Sequence, residues 1–412
     1  MPRQPVNRIA YIDPQGQLNT ISPSGQGRHR LTQDHLTFQL PTWAPNGEFL
    51  SVIGGDDQSS AIFAVNDQPF PNSFQRLYFS RSQLPFYLYW SPDSRLISFI
   101  ASNDTSGIGL HLVSIVDDQC TLLATGQPLF WDWTPESDQI LMHSGVAPPD
   151  ARLALIDVRR NGVIGENIAQ PGLFQAPGIA PSGRYWAYAE IDDYDNGQLV
   201  VEDIATQERL DIPYEGAIAL NWSPTRDQLA FITPSTSVRR YYGALHLLDP
   251  TAKSVRLAVD AVVLAFFWSP DGQHIAYLTM AAAPQQPSAI ETGPRLNGHH
   301  NGPFKTNGRP DTSHETEPFR PLETLSLDLW LVNVATLATR KVATIEPSSR
   351  FMNQFLPFFD QYALSHRLWS PDSEALVLPV KRAGVSEITV VPIDGAQPVT
   401  LAAGEIAFWS WQ

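Results

Sequence analysis

The sequence predicts an all-β fold: a closed β-propeller of four-stranded antiparallel blades, eight in number, with the last blade shared between the N- and C-termini. Three observations carry that expectation. The 412 residues include 26 Gly, 35 Pro, 11 Trp, 12 Tyr and 20 Phe, with 43% apolar and only 17% charged side chains, a composition suited to strands and turns. A short string recurs with starts at residues 43, 90, 133, 179, 222, 268, 369 and 409. The two chain ends supply complementary parts of the last of these repeats, the one that begins at Trp409.

The string reads WAPNG from Trp43, WSPDS from Trp90, WTPES from Trp133, IAPSG from Ile179, WSPTR from Trp222, WSPDG from Trp268 and WSPDS from Trp369. Pro presets φ for a turn, Asp or Asn bonds back to the backbone, and Gly accepts a positive φ. Beyond each turn two apolar residues two apart, such as Leu50 and Val52 or Ile275 and Tyr277, mark one face of a second strand. Third strands follow at 61–65, 110–115, 152–158, 198–204, 244–249, 329–334 and 387–393, with short fourth strands such as 76–79, 209–212 and 255–259. Four strands in roughly 45 residues is the length of one blade.

From Trp409 only the truncated copy FWSWQ remains, while RIAYI at 8–12, QLNTIS at 17–22 and RHRLT at 28–32 offer the missing strands. Sharing one blade between the ends locks the ring, since an open end would expose apolar sheet and unpaired edges. The repeat-position Trp residues are expected between blades, as packing.

WSPDG followed by IAY or LAF resembles the WD-like repeat of TolB-type propellers, found also in the propeller domains of prolyl oligopeptidase and dipeptidyl peptidase relatives. The resemblance runs along nearly the whole chain. It implies a bacterial, non-enzymatic propeller that binds protein partners. The peptidase relatives add an α/β-hydrolase domain, but no GxSxG nucleophile elbow occurs here.

Charge narrows the partners. A net charge of −15 disfavours a phosphate backbone or anionic lipid, so no nucleic acid is expected. The run AVVLAFFW at 261–268 is too short to span a bilayer, so no membrane insertion is expected. Without a signal-like apolar stretch in MPRQPVNRIAYIDPQ, the chain as written is expected in the cytoplasm, or in the periplasm if a signal has been removed. Cys120 is the single cysteine, which leaves no intrachain disulfide and no Cys-based zinc site. A monomeric propeller is expected.

Catalytic chemistry finds no linear motif, so the chain is read as not an enzyme, with no catalytic residue, metal or cofactor. SPDGQHIAYL half-matches a sialidase Asp-box but lacks its terminal Trp, and DDYDNG at 192–197 misses the calcium-loop register and its twelfth-position Glu. A hairpin turn on Asn196-Gly197 accounts for the latter, with Asp193 and Asp195 facing solvent. His299, His300 and His314 could at most catch a metal adventitiously.

Two insertions interrupt the repeat. The stretch 281–324, rich in Pro, Gly, Asn and Thr, reads as a disordered low-complexity insertion within the sixth blade. The stretch 346–366 is an aromatic-rich inter-blade loop carrying Phe351, Phe355, Phe358, Phe359 and Tyr362. Strand alternation puts both on the same face of the ring. The aromatic loop reads either as a short helix or plug packed into the channel mouth or as a lid or docking patch. Inner-strand residues just before the motif should line the channel: Tyr87, Tyr89, Trp131, Asp132, Asn221, Phe267, His366 and Arg367.

Three functions follow from this inventory. The first is a protein- or peptide-binding scaffold docking its partner across the insertion face. The second is small-molecule or carbohydrate binding at the channel mouth, for which Asp132, Asn221 and Arg367 must converge. The third is a hydrolase or lyase whose catalytic groups come from separate blades.

Overall fold

The computed structural model describes residues 6–33, 35–70, 74–103, 107–117, 119–146, 150–160, 162–191, 196–234, 242–282 and 325–411. Eight antiparallel sheets follow one another along the chain, and together they form the all-β ring read from the repeat. Blades 1 to 6 occupy residues 37–80, 83–126, 129–164, 178–214, 219–263 and 265–345, each with four strands in chain order. In blade 8 the C-terminal strand Ile406–Trp409 pairs with Ile9–Ile12, Ile9 opposite Trp409, and Leu18–Ile21 and His29–Arg30 complete the sheet. The ring is thus closed by both ends of the chain.

Blade 7 departs from the pattern. Its sheet has three strands, Ala375–Arg382, Val385–Pro392 and Val399–Ala403. The inner position is held by an irregular segment that bridges Trp369 to Leu376 on one side and Arg367 to Trp409 of blade 8 on the other.

The motif explains how blades meet. Indole N–H groups of Trp90, Trp268 and Trp369 donate to the carbonyls of Thr42, Asn221 and Phe267, at 3.2, 3.1 and 3.0 Å. Each acceptor is the residue before the motif Trp of the preceding blade. Turn residues join the same ring-wise ladder. Ser94, Ser137 and Ser373 adopt positive φ of 62°, 60° and 62°, a conformation that costs an L-residue roughly 1 kcal/mol. Their hydroxyls offset that cost by accepting the backbone N–H of Asn46, Asp93 and Asp271 in the preceding turn, at 3.0, 3.0 and 3.1 Å. Where no such bond forms, Gly47, Gly183 and Gly272 occupy the same position at φ of 70°, 71° and 66°.

Every inner strand begins at one face of the ring, here the loop face, and ends with its motif at the other, the turn face. Connections between second and third strands and between blades lie on the loop face. The stretch 281–324 falls outside the described residues beyond position 282; its flanks meet, with Met280 paired to Leu327 and Ala281 N–H donating to Ser326 O at 3.0 Å. No helix among the described residues is long and apolar enough to cross a membrane.

Candidate functional site

The channel is closed by the second insertion. From its bond to Glu405 O, through Ser348 Oγ at 2.8 Å, the chain crosses to the segment between blades 3 and 4, where Gln175 Nε2 donates to Pro357 O at 3.2 Å. It returns through the channel as the short helix Phe359–Ser365 and rejoins the ring at His366. Phe351, Phe355 and Phe359, expected as exposed anchors in the docking-patch reading, are buried; Phe351 stacks on Phe355, and Phe355 and Phe359 pack tilted or edge-on against Phe266, Phe267 and Phe408 of the inner strands. Burial of these rings removes more apolar surface from water than a lid held above the mouth could. Phe358 alone stays exposed, 6.4 Å from the Phe130 ring.

Polar groups on the plug answer the unpaired edges that inner strands present to a channel. Trp131 N–H donates to Gln361 Oε1 at 2.8 Å, and Gln361 Nε2 donates back to Trp131 O at 2.9 Å and to Tyr87 Oη at 3.2 Å. One side-chain amide thereby replaces a missing strand partner. Tyr87 Oη donates to Gln361 O at 2.9 Å and lies 2.6 Å from Ser365 Oγ. His366 sits 2.6 Å from Ser365 Oγ and 2.7 Å from Thr42 Oγ1. Asn221 Nδ2 donates to Asp360 O at 3.1 Å.

On the turn face the plug leaves a basin of about 390 Å³. Its floor is Ala363, Leu364 and His366; its rim is built from motif prolines such as Pro135 and Pro224 and motif tryptophans such as Trp222. Tyr89, Asp132, Asn221, Phe267 and Arg367 line the walls, so the polar trio expected at a channel mouth does converge on one cavity. Tyr87 and Trp131 lie behind it, buried in the plug network.

Electrostatics separate these groups. Asp132 accepts Tyr89 O–H at 3.1 Å, Trp133 N–H at 2.9 Å and Ile179 N–H at 2.9 Å, while burial pushes its carboxyl up to about 6. Burial raises Asp360, which accepts Gln361 N–H at 2.9 Å, to about 7, and lowers His366 to about 3, so the imidazole is neutral. Arg367, four blades across the ring from Asp132, is lowered by burial to about 10 and stays charged at neutral pH. Its guanidinium stacks 4.4 Å over the Trp411 ring and donates through Nη1 to Trp411 O at 2.8 Å. No carboxylate among the described residues pairs with it.

The composition of the site shows what the sequence reading missed. Trp411, Gln361 and Asp360 shape the basin and plug without belonging to the repeat's conserved spacing; the only linear signal was the second Trp of FWSWQ. No group of three His, Cys, Asp or Glu side chains that could hold a metal occurs among the described residues. Asp193, Asp195, His299, His300 and His314 lie outside them.

No family model matches the sequence, and no curated protein matches it. Solved structures do match. Dihydro-heme d1 dehydrogenase NirN in complex with DHE is similar over 99% of this chain and 76% of that one, at 11% identity and a TM-score of 0.57. Oligogalacturonate lyase in complex with manganese is similar over 91% of this chain and 86% of that one, at 13% identity and a TM-score of 0.50. TolB from Acinetobacter baumannii is similar at 16% identity and a TM-score of 0.38, over 60% of this chain, and this chain spans 62% of its length. At such identities the likeness is one of fold, and the fold is the propeller.

Proposed function

We propose that this propeller is a non-enzymatic binding protein whose ligand sits in the turn-face basin. The observation that carries this reading is the convergence of Tyr89, Asn221, Phe267 and Arg367 on one cavity whose far end the plug closes. A cavity of about 390 Å³ falls at the small end of ligand pockets, and its mixture of aromatic walls with a few placed polar groups is the usual one for such sites. Small-molecule binding at the channel mouth therefore takes precedence over docking on the insertion face. A fragment library screened by ligand-observed NMR tests it, with Leu364→Trp filling the basin from its half-buried floor position. Hits that compete with one another and vanish in the filled variant, with its melting temperature retained, support the site. Hits untouched by the filling overturn it.

A second reading keeps a protein or peptide partner on the loop face. It is favoured by the exposed Leu84, Phe86 and Phe358, all at that end of the ring. Loss of a captured partner in a Leu84→Glu, Phe86→Glu variant, with fragment binding intact, would favour it.

A further inference from the structure

We propose that the basin is specific for a carboxylate attached to an aromatic or apolar body, with the carboxylate gripped by Arg367 and the body lying against Trp411 and Phe267; this rests on the basin being the binding site. Three observations converge on it. Arg367 uses only Nη1 within the protein, on Trp411 O at 2.8 Å. Its Nε and Nη2 make no hydrogen bond among the described residues, and this is the edge of a guanidinium that takes a carboxylate through two parallel bonds. A half-buried cation facing a cavity with no carboxylate paired to it is costly unless something supplies one.

The second observation is the wall. Trp411, stacked at 4.4 Å on the guanidinium, fixes the plane of the fork and presents apolar surface beside it, and Phe267 and Trp268 continue that surface. Third, the amide of Asn221 spends its nitrogen on Asp360 O at 3.1 Å, and its oxygen has no partner among the described residues. That oxygen suits an N–H or O–H on the ligand. The net charge of −15 and the Asp132 carboxyl on the opposite wall weigh against a doubly charged phosphate and for a single carboxylate. Such a group occurs on free organic acids and at peptide C-termini alike.

Calorimetric titration of the full chain distinguishes the possibilities, using N-acetylphenylalanine, its primary amide, and 3-phenylpropionate. The acid is expected to bind at least tenfold more tightly than the amide. Arg367→Gln should abolish that preference, bringing acid and amide to the same affinity, and Arg367→Lys should restore part of it, since an ammonium keeps the charge but not the fork. Equal binding of 3-phenylpropionate assigns the site to free acids, and a preference for N-acetylphenylalanine assigns it to peptide termini; either supports the proposal. Equal affinity for acid and amide, or an unchanged preference in Arg367→Gln with a native circular dichroism spectrum, overturns it while the basin remains a ligand site. Fragment hits that ignore the filled Leu364→Trp variant would instead remove the basin itself.

Discussion

Residue by residue, the inner strands were half legible. The position before the motif Trp supplies Tyr89, Asp132, Asn221, Phe267 and Leu368 to the basin in blades 2, 3, 5, 6 and 7. Arg367 and Phe266 stand two before their motif Trp and line the basin as well, Arg367 from blade 7's irregular inner segment. Nothing in sequence spacing announces that irregularity. Asp360 was likewise invisible, since its buried state depends on a plug contacting blades distant in sequence. Its folded-state value of about 7 lies above the roughly 3.9 of an unfolded Asp. The stability it lends is therefore full below about pH 4 and is lost as pH rises through 7. Asp132, raised to about 6, acts in the same direction at lower pH, and His366, lowered to about 3, acts oppositely below its unfolded range. Above about pH 6.5 Asp360 dominates this group of three. Measured by chemical denaturation, Asp360→Asn is expected to lose about 1 kcal/mol less stability than the parent between pH 6.5 and pH 8, because the parent alone carries the Asp360 ionisation. Equal slopes in the two proteins would count against the assignment.

At the scale of elements, strands and turns were read correctly because each blade states its own chemistry locally: Pro and a small polar residue for the turn, apolar residues two apart for the strand. The plug was one of two readings of its segment, a short helix or plug against a lid or docking patch, and the sequence alone left the choice open. Its aromatics predicted a covered apolar segment, but its helical form has no amphipathic period, because its neighbours surround it. Gln361 shows the cause. An exposed amide would be neutral in a helix, whereas this one pairs both the N–H and the C=O of Trp131. Gln361→Ala is expected to leave two buried backbone groups unpaired and to cost about 2–4 kcal/mol in urea denaturation. Gln361→Glu should cost more, since it removes the donor to Trp131 O and places a charge in the channel. A loss below about 0.5 kcal/mol for the alanine variant, the range of a surface substitution, would mean that the plug does not depend on this clamp.

For the whole molecule, closure is the property that individual blades cannot state. Composition and repeat count pointed to eight blades, and the complementary chain ends pointed to a shared one; the register of Ile9 with Trp409 bears this out. Trp409 is 2% exposed and donates to Asn7 Oδ1 at 2.6 Å, while Ser410 N–H donates to Arg8 O at 2.8 Å. Each blade covers the apolar faces of both neighbours, so separating blade 8 uncovers blade 1 and blade 7 as well. Opening at the closure is thus expected to be as costly as unfolding the ring, rather than a local fraying of two termini. Trp409→Ala should remove about 3–5 kcal/mol. Hydrogen exchange followed by mass spectrometry reads where that loss appears. If closure is a property of the ring, the slowest amides of every blade lose the same protection as those of Ile9–Ile12. Protection lost in blade 8 alone, with the inner strands of blades 2 to 5 unchanged, would show a ring that holds its shape without its latch.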